Sequence, residues 1–275
     1  MSDADKQWWE QIHELMDKYC SVVKDGLFER WDKFDVKISD SETYEVIGGL
    51  LARQATLTIH LAQTPQDWNG HIAPLILRCM TDAHINLAWI MGDPKERARK
   101  YILYGLGQEK LFIEHLKNSQ KNEEEKDPLA SKLIDARESW LNSQRHDFMT
   151  EVNVGSWTGL STREMAKEAN CEGLYKFVYV PFSGTAHNMW QHISEYNLDR
   201  CKNPLHKYHK VPSIPRIPLN PDYVYRSAKY VDRSYELFDK TFNITIDTPL
   251  PHGWFVEGFN KFLEKQNSEQ EENKN

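Results

Sequence analysis

Set into the apolar stretch between Ile72 and Met91 are Arg78, Asp82 and Asn86, at successive spacings of four. On an α-helix this spacing keeps them on one stripe, drifting about 40° per step. A guanidinium and a carboxylate one turn apart can also be buried as a pair. A second apolar stretch repeats the design with Tyr179, Ser183, His187 and Gln191. Buried polar groups need partners, so the two stripes are expected to face each other. That would gather a fixed cation (Arg78), a carboxylate (Asp82), a hydroxyl (Ser183) and an imidazole (His187). Such a set can perform metal-independent RNA cleavage. His187 would be the general acid or base, and Arg78 would stabilise the developing phosphorane charge. Asp82 would orient the arginine and Ser183 would bind a phosphate oxygen, with Tyr179, Asn86 and Gln191 as substrate-binding candidates. The alternative is a non-catalytic binding or scaffolding protein in which the same network only fixes helix register. Solvent access to Arg78 and His187 separates the two.

Other chemistries find less support in the spacing, and no metal or cofactor is expected. A di-iron bundle needs two E-x-x-H pairs, and only Glu10 to His13 fits. His187 and His192 are five apart and diverge on a helix, so with Asp82 they make a poor metal set. Ser183-Gly184 lacks the G-x-S-x-G elbow of a serine hydrolase. Neither phosphate-binding glycine motif, G-x-x-x-x-G-K-[ST] or G-x-G-x-x-G, occurs. His206 and His209, in LHKYHK, read as surface residues of a proline-rich strap.

The elements that must position these residues are helical. Apolar residues recur at spacings of three and four from Asp5 to about Phe34. A second helix opens at Ser41 and breaks at Thr64-Pro65; within it Gly48-Gly49 suggests a closely packed neighbour. A third spans about Ile72 to Met91, and a fourth runs from Pro94 to about Lys117 with Asp93 as its cap. NSQKNEEEKD, residues 118–127, reads as a solvated loop. A helix over about Pro128 to Asn142 follows, then a short one capped by Ser161 or Thr162. One long helix is expected from Gly173 to about Asp199. Five prolines between Asn203 and Pro221 predict an extended strap, and a last long helix covers about Pro221 to Phe242. Residues 1–263 read as a single all-α domain, a helical bundle. The acidic tail, 264–275, has no hydrophobic residue and is expected to be disordered.

The chain has 275 residues, 40% of them hydrophobic and 27% charged, enough for a substantial core. No apolar run approaches the roughly 18 residues of a membrane span. Four scattered cysteines without a CxxC pair fit a reducing cytoplasm. The net charge of −7 argues against extended DNA binding, so any RNA contact should have a small footprint. Aromatic pairs near the two ends, Trp8-Trp9 and Trp254-Phe255, either tuck into the bundle or form a homodimer surface.

Several separated segments, in order, carry a family resemblance: Arg78 to Asp82 in its apolar helix, NLAWIMGDPKERARKYILYG from Asn86, WTGLSTREMA from Trp157, and Tyr179, Ser183 and His187. Together they resemble the bacterial domain of unknown function 5677 over roughly Leu50 to Tyr196. Asp82 stands where that resemblance leads one to expect glutamate. The family implies a helical fold and brings no settled activity. The chain is also similar, more loosely, to HEPN-type helical ribonucleases of toxin and phage-defence systems, which dimerise to pair two R-x(4–6)-H motifs. Arg78 with His84, Arg53 with His60, and Arg200 with His206 satisfy that spacing. Arg78 and His84 lie about 120° apart on a straight helix, which makes His187 the better-placed partner for Arg78.

Overall fold

The computed structural model describes residues 3–35, 37–121, 127–144, 156–215 and 217–272. The opening apolar periodicity forms α1, Asp3–Asp32, which buries Ile12, Met16, Tyr19 and Val23. Helices α2 (Ser41–Gln63), α3 (Ala73–Met91), α4 (Pro94–Lys121) and α5 (Pro128–Asn142) follow. The expected loop after Asn118 is helical as far as Lys121, and residues 122–126 lie outside the described residues. Pro128 opens α5, and the Asp127 carboxylate accepts the Leu129 N–H as its cap, a pairing of fixed φ with a satisfied donor. The two glycines of α2 differ. A Cβ on Gly48 would sit 2.7 Å from the Trp31 ring, whereas beside Gly49 there is open space.

The stretch expected as one helix from Gly173 is broken. The short helix expected before it is α6 (Thr162–Glu168), and the stretch itself comprises α7 (Glu172–Leu174), a π-helical turn (Tyr175–Tyr179), α8 (Val180–Ala186) and α9 (Trp190–Tyr196). Asn188 adopts φ +51°. Around it Met189 N–H reaches Gly184 C=O at 2.9 Å and Asn188 N–H reaches Thr185 C=O at 3.4 Å. These two bonds with a left-handed residue between them are the Schellman C-terminus, and they stop α8. Asn170, at φ +57°, closes α6 in the same manner, with Cys171 N–H on Ala166 C=O at 2.8 Å.

Part of the proline strap is a hairpin. Strands β1 (Leu198–Arg200) and β2 (Lys210–Pro212) pair antiparallel, with Asp199 opposite Val211. The strap ends against the bundle where Asn220 N–H donates to Trp68 C=O at 2.7 Å. Helices α10 (Asp222–Phe242) and α11 (Pro251–Glu272) complete the chain. The tail expected to be disordered from Glu264 is therefore helical to Glu272. Phe255 and Phe262 are buried at the start of α11. The Glu, Lys and Gln residues after them favour continuing a helix already nucleated, and Gln266 bonds Gln11 of α1 at 2.8 Å.

In the bundle α1 packs on α2 and α11, and α10 packs on α2, α3 and α11. The α4–α5 pair encloses a separate small core of Leu106, Ile113, Ile134 and Leu141. Among the described residues no helix is long and apolar enough to cross a membrane. Most buried polar groups are paired as burial demands; among the described residues Gln54 Oε1, Arg137 Nε and His252 Nε2 are exceptions. Tyr19 donates to Thr58 Oγ1 (3.0 Å), which donates to Ser227 Oγ (2.8 Å), which donates to Val224 C=O. Arg30 is 1% exposed. It forks onto both carboxylate oxygens of Asp239 at 2.8 and 2.7 Å and stacks 4.1 Å above the Tyr235 ring. The terminal aromatics pack between α1 and α11, with Trp8 against Phe262 and Tyr19 against Phe255.

Candidate functional site

Helix α3 lies against the π-helical turn and α8, and there the two expected stripes meet. Arg78 Nε donates to Ser183 Oγ at 2.9 Å, and its Nη1 pairs with Asp82. The guanidinium lies 3.5 Å above the centre of the Tyr179 ring, a stacked cation–π contact. The Ser183 hydroxyl in turn donates a hydrogen bond to Tyr179 C=O at 2.7 Å. Arg78, Asp82, Ser183 and Tyr179 thus converge as the spacing suggests.

The remaining members do not. His187 is the residue flanking the end of α8 and is exposed. No hydrogen bond, ion pair or ring contact joins its side chain to a described residue. The physical cause is the Schellman stop at Asn188, which ends the stripe one residue after His187 and turns the chain away. Gln191 lies beyond that stop, exposed, against Gly184 and Met189. Asn86 is half-buried and makes no side-chain hydrogen bond among the described residues. The residue that anchors α9 is instead His192. Its Nδ1 lies 3.2 Å from Thr185 Oγ1, and its ring packs on His71 and Tyr196.

The Arg78 cluster has little room for a substrate. The arginine side chain is 15% exposed, its Nε and Nη1 are bonded and one face of the guanidinium is covered by Tyr179. A similar knot joins the next pair of segments. Trp89 Nε1–H donates to Glu168 at 2.7 Å, Arg97 stacks 3.9 Å above the Trp89 ring, and Trp157 packs edge-on against both Trp89 and Tyr101. Ser161 and Glu164 close a reciprocal capping box on α6.

A cleft of about 800 Å³ lies on the other side of the π-helical turn, between α10 and residues 169–178. One wall is the polar face of α10, with Arg226, Lys229, Arg233 and Lys240 against Asp222 and Glu236. Arg226 is paired with Asp222 at 2.5 Å, whereas Lys229, Arg233 and Lys240 form no ion pair with a described residue. The opposite wall includes Phe177, 77% exposed. His84 lines the cleft from α3, its Nδ1 2.9 Å from Ser234 Oγ. Burial, reinforced by the Arg233 charge, pushes the imidazole down to about 4. Cys171 goes the other way, raised by burial to about 11 although Arg233 pulls against it. The Tyr230 phenol is likewise raised by burial. Near neutral pH the cleft therefore holds a neutral imidazole, a thiol and a phenol. None titrates where a general acid or base works well. His84 faces α10 while Arg78 faces α8, so these two belong to separate sites.

Sequence reading passed over this cleft. The signal available was the spacing of Arg226, Lys229, Arg233 and Lys240 at three, four and seven, opposite the apolar face of α10.

Fold and site together define an all-α bundle whose central helix is tied to a π-helical turn by an arginine-centred polar clamp, with a cationic cleft behind that turn. The chain belongs to the family of unknown function DUF5677, whose model matches residues 44–204. The match extends a little beyond the 50–196 read from the motifs and takes in the clamp, the capping-box segment and the start of the hairpin. No curated protein and no solved structure matches the chain.

Proposed function

We propose that this protein is a non-catalytic helical binding protein whose cationic cleft takes a short segment of single-stranded RNA, and that the Arg78 clamp is structural. The observation that carries this reading is the pairing of walls. Three cations without an ion pair to any described residue line α10 in a chain of net charge −7, opposite a solvent-exposed Phe177. A groove that combines backbone-tracking cations with an aromatic platform suits stacked bases and needs no sequence readout. From Arg226 to Lys240 the stripe runs about 21 Å at about 1.5 Å per residue, which accommodates only a few phosphates. RNA cleavage, by contrast, asks for an imidazole beside Arg78, and the guanidinium is already engaged by Asp82, Ser183 and Tyr179.

The test is a titration of a fluorescent oligouridylate at several salt concentrations. With three unpaired cations engaged, log K against log salt should fall with a slope of about −2, at about −0.7 per contact for single strands. Phe177→Ala should weaken binding about 5- to 150-fold, the equivalent of about 1–3 kcal/mol for a stacked base, and Arg233→Gln, which removes one of the three contacts, should flatten the slope to about −1.4. Binding unaffected by either variant would overturn the cleft assignment. RNA cleavage by the wild type that disappears in His187→Ala would overturn the non-catalytic reading.

A further inference from the structure

The loop joining β1 to β2 brings together three side chains of ligand type. The strand pairing continues one step past Arg200, where Cys201 N–H donates to His209 C=O at 3.0 Å, so residues 201 and 209 face each other at the mouth of the hairpin. Between them the chain folds back on itself. His206 N–H donates to Asn203 C=O at 3.0 Å, His209 N–H to His206 C=O at 3.2 Å, and Leu205 N–H to Asn203 Oδ1 at 3.0 Å. The result places the Cys201 sulfur and one ring nitrogen each of His206 and His209 within 4.8 Å of one another.

We infer that Cys201, His206 and His209 form a zinc site with one coordination position left open. Three observations support it independently of the RNA-binding reading. The first is distance. Cys201 Sγ lies 3.7 Å from His206 Nδ1. A tetrahedral ion with bonds of about 2.3 Å to sulfur and about 2.0 Å to nitrogen sets such an edge at about 3.5 Å. The second is orientation. Nδ1 of His206 is the ring nitrogen turned toward the sulfur, as a metal-bound nitrogen is, while Nε2 faces the Asn203 side-chain amide at 3.3 Å; in the metal-bound form that amide presents its oxygen to accept the Nε2–H. The third is what the loop lacks. Its large apolar side chains point to water, Leu205 at 86% exposure and Tyr208 at 97%. No hydrophobic core fixes its shape, and a lone two-stranded hairpin is marginal by itself. Ordering three such side chains at one point on an exposed loop costs conformational entropy, which a shared metal offsets.

The donor set selects the ion. One thiolate and two imidazoles suit a borderline-soft divalent metal, whereas calcium and magnesium take oxygen ligands. Three protein ligands leave a fourth position for water or an incoming group. Metal binding requires the Cys201 thiolate, so binding releases a proton and tightens as pH rises.

Cobalt(II) is the probe. Full-length protein, stripped with a chelator and kept reduced, is titrated with Co²⁺ alone and followed by absorption. One equivalent should bind with a thiolate-to-cobalt band in the near ultraviolet and visible bands of a four-coordinate ion, and Zn²⁺ should displace it. Cys201→Ser should remove the thiolate band, and His206→Ala or His209→Ala should weaken binding by at least about tenfold. Cys79→Ser, which replaces an exposed cysteine on α3, should change nothing. These positions lie outside the core, so far-ultraviolet circular dichroism should be the same for all variants. A wild type without the thiolate band, or a band that survives in Cys201→Ser, would overturn the assignment.

Discussion

Asp232 offers a direct measurement of what a buried charge costs this bundle. It is 8% exposed on α10, and its Oδ1 accepts the His252 N–H at 3.1 Å in the first turn of α11. Burial outweighs that hydrogen bond and pushes the carboxyl from its ordinary 3.8 up to about 7. The folded state therefore holds the proton more tightly than the unfolded chain. Stability is highest at low pH with respect to this group, falls as pH rises from about 4, and levels off above about 7. Asp232→Asn keeps an oxygen acceptor for His252 and never ionises. The gap between 3.8 and about 7, at about 1.36 kcal/mol per pH unit, sets a ceiling of about 4 kcal/mol on its advantage over wild type at pH 8. The shift to about 7 already includes the His252 N–H bond at the positive end of α11, so the expected advantage is about 3–4 kcal/mol. Urea denaturation of both proteins at intervals from pH 4 to 8 should show curves that nearly coincide at pH 4 and separate progressively toward pH 7. An Asn variant that is less stable than wild type at pH 8, or an offset that does not change with pH, would refute the reasoning.

Two further outcomes follow from neighbouring groups. His84, held at about 4 by burial, has the opposite sign. The unfolded chain takes up its proton first, so wild type should lose about 3 kcal/mol between pH 6.5 and pH 4, and His84→Gln, measured by the same urea titrations, should remove that share of the acid loss. Arg78→Lys keeps the charge but loses the planar fork that reaches Ser183 and Asp82 while stacking on Tyr179. It should lower stability by about 1–3 kcal/mol, and a thermal midpoint equal to wild type would deny the clamp any structural role.

Much of the helical layout was legible because its signals are local. The apolar period, Pro94 and Pro128 at helix starts, and the Ser161–Glu164 capping box each act within one turn. The convergence of Arg78 with Ser183 and Tyr179 was legible for a related reason, since polar residues set into apolar helices must find each other. His187 failed on a single neighbour. Asn188 reads as one more polar residue in a helix, yet asparagine tolerates the left-handed conformation that ends one. Asn170 and Asn243 take the same conformation at the ends of α6 and α10. The α11 tail was misread because composition cannot tell whether a charged segment continues a helix that packed residues have already started. The cleft was missed because it depends on α10 and residues 169–178 being brought together, which no local pattern records.

The π-helical turn has a consequence of its own. A turn wound with one residue more than its neighbours offsets everything downstream by about 100°, and Tyr175–Tyr179 does this immediately before Ser183. The number of residues in that stretch is thus as much a part of the message as their identity. Rewinding that turn as an ordinary helix of the same length would swing the serine about 100° out of reach of the guanidinium and carry Phe177 round with it. Clamp and cleft are geared to the same small irregularity, and its loss would disturb both at once.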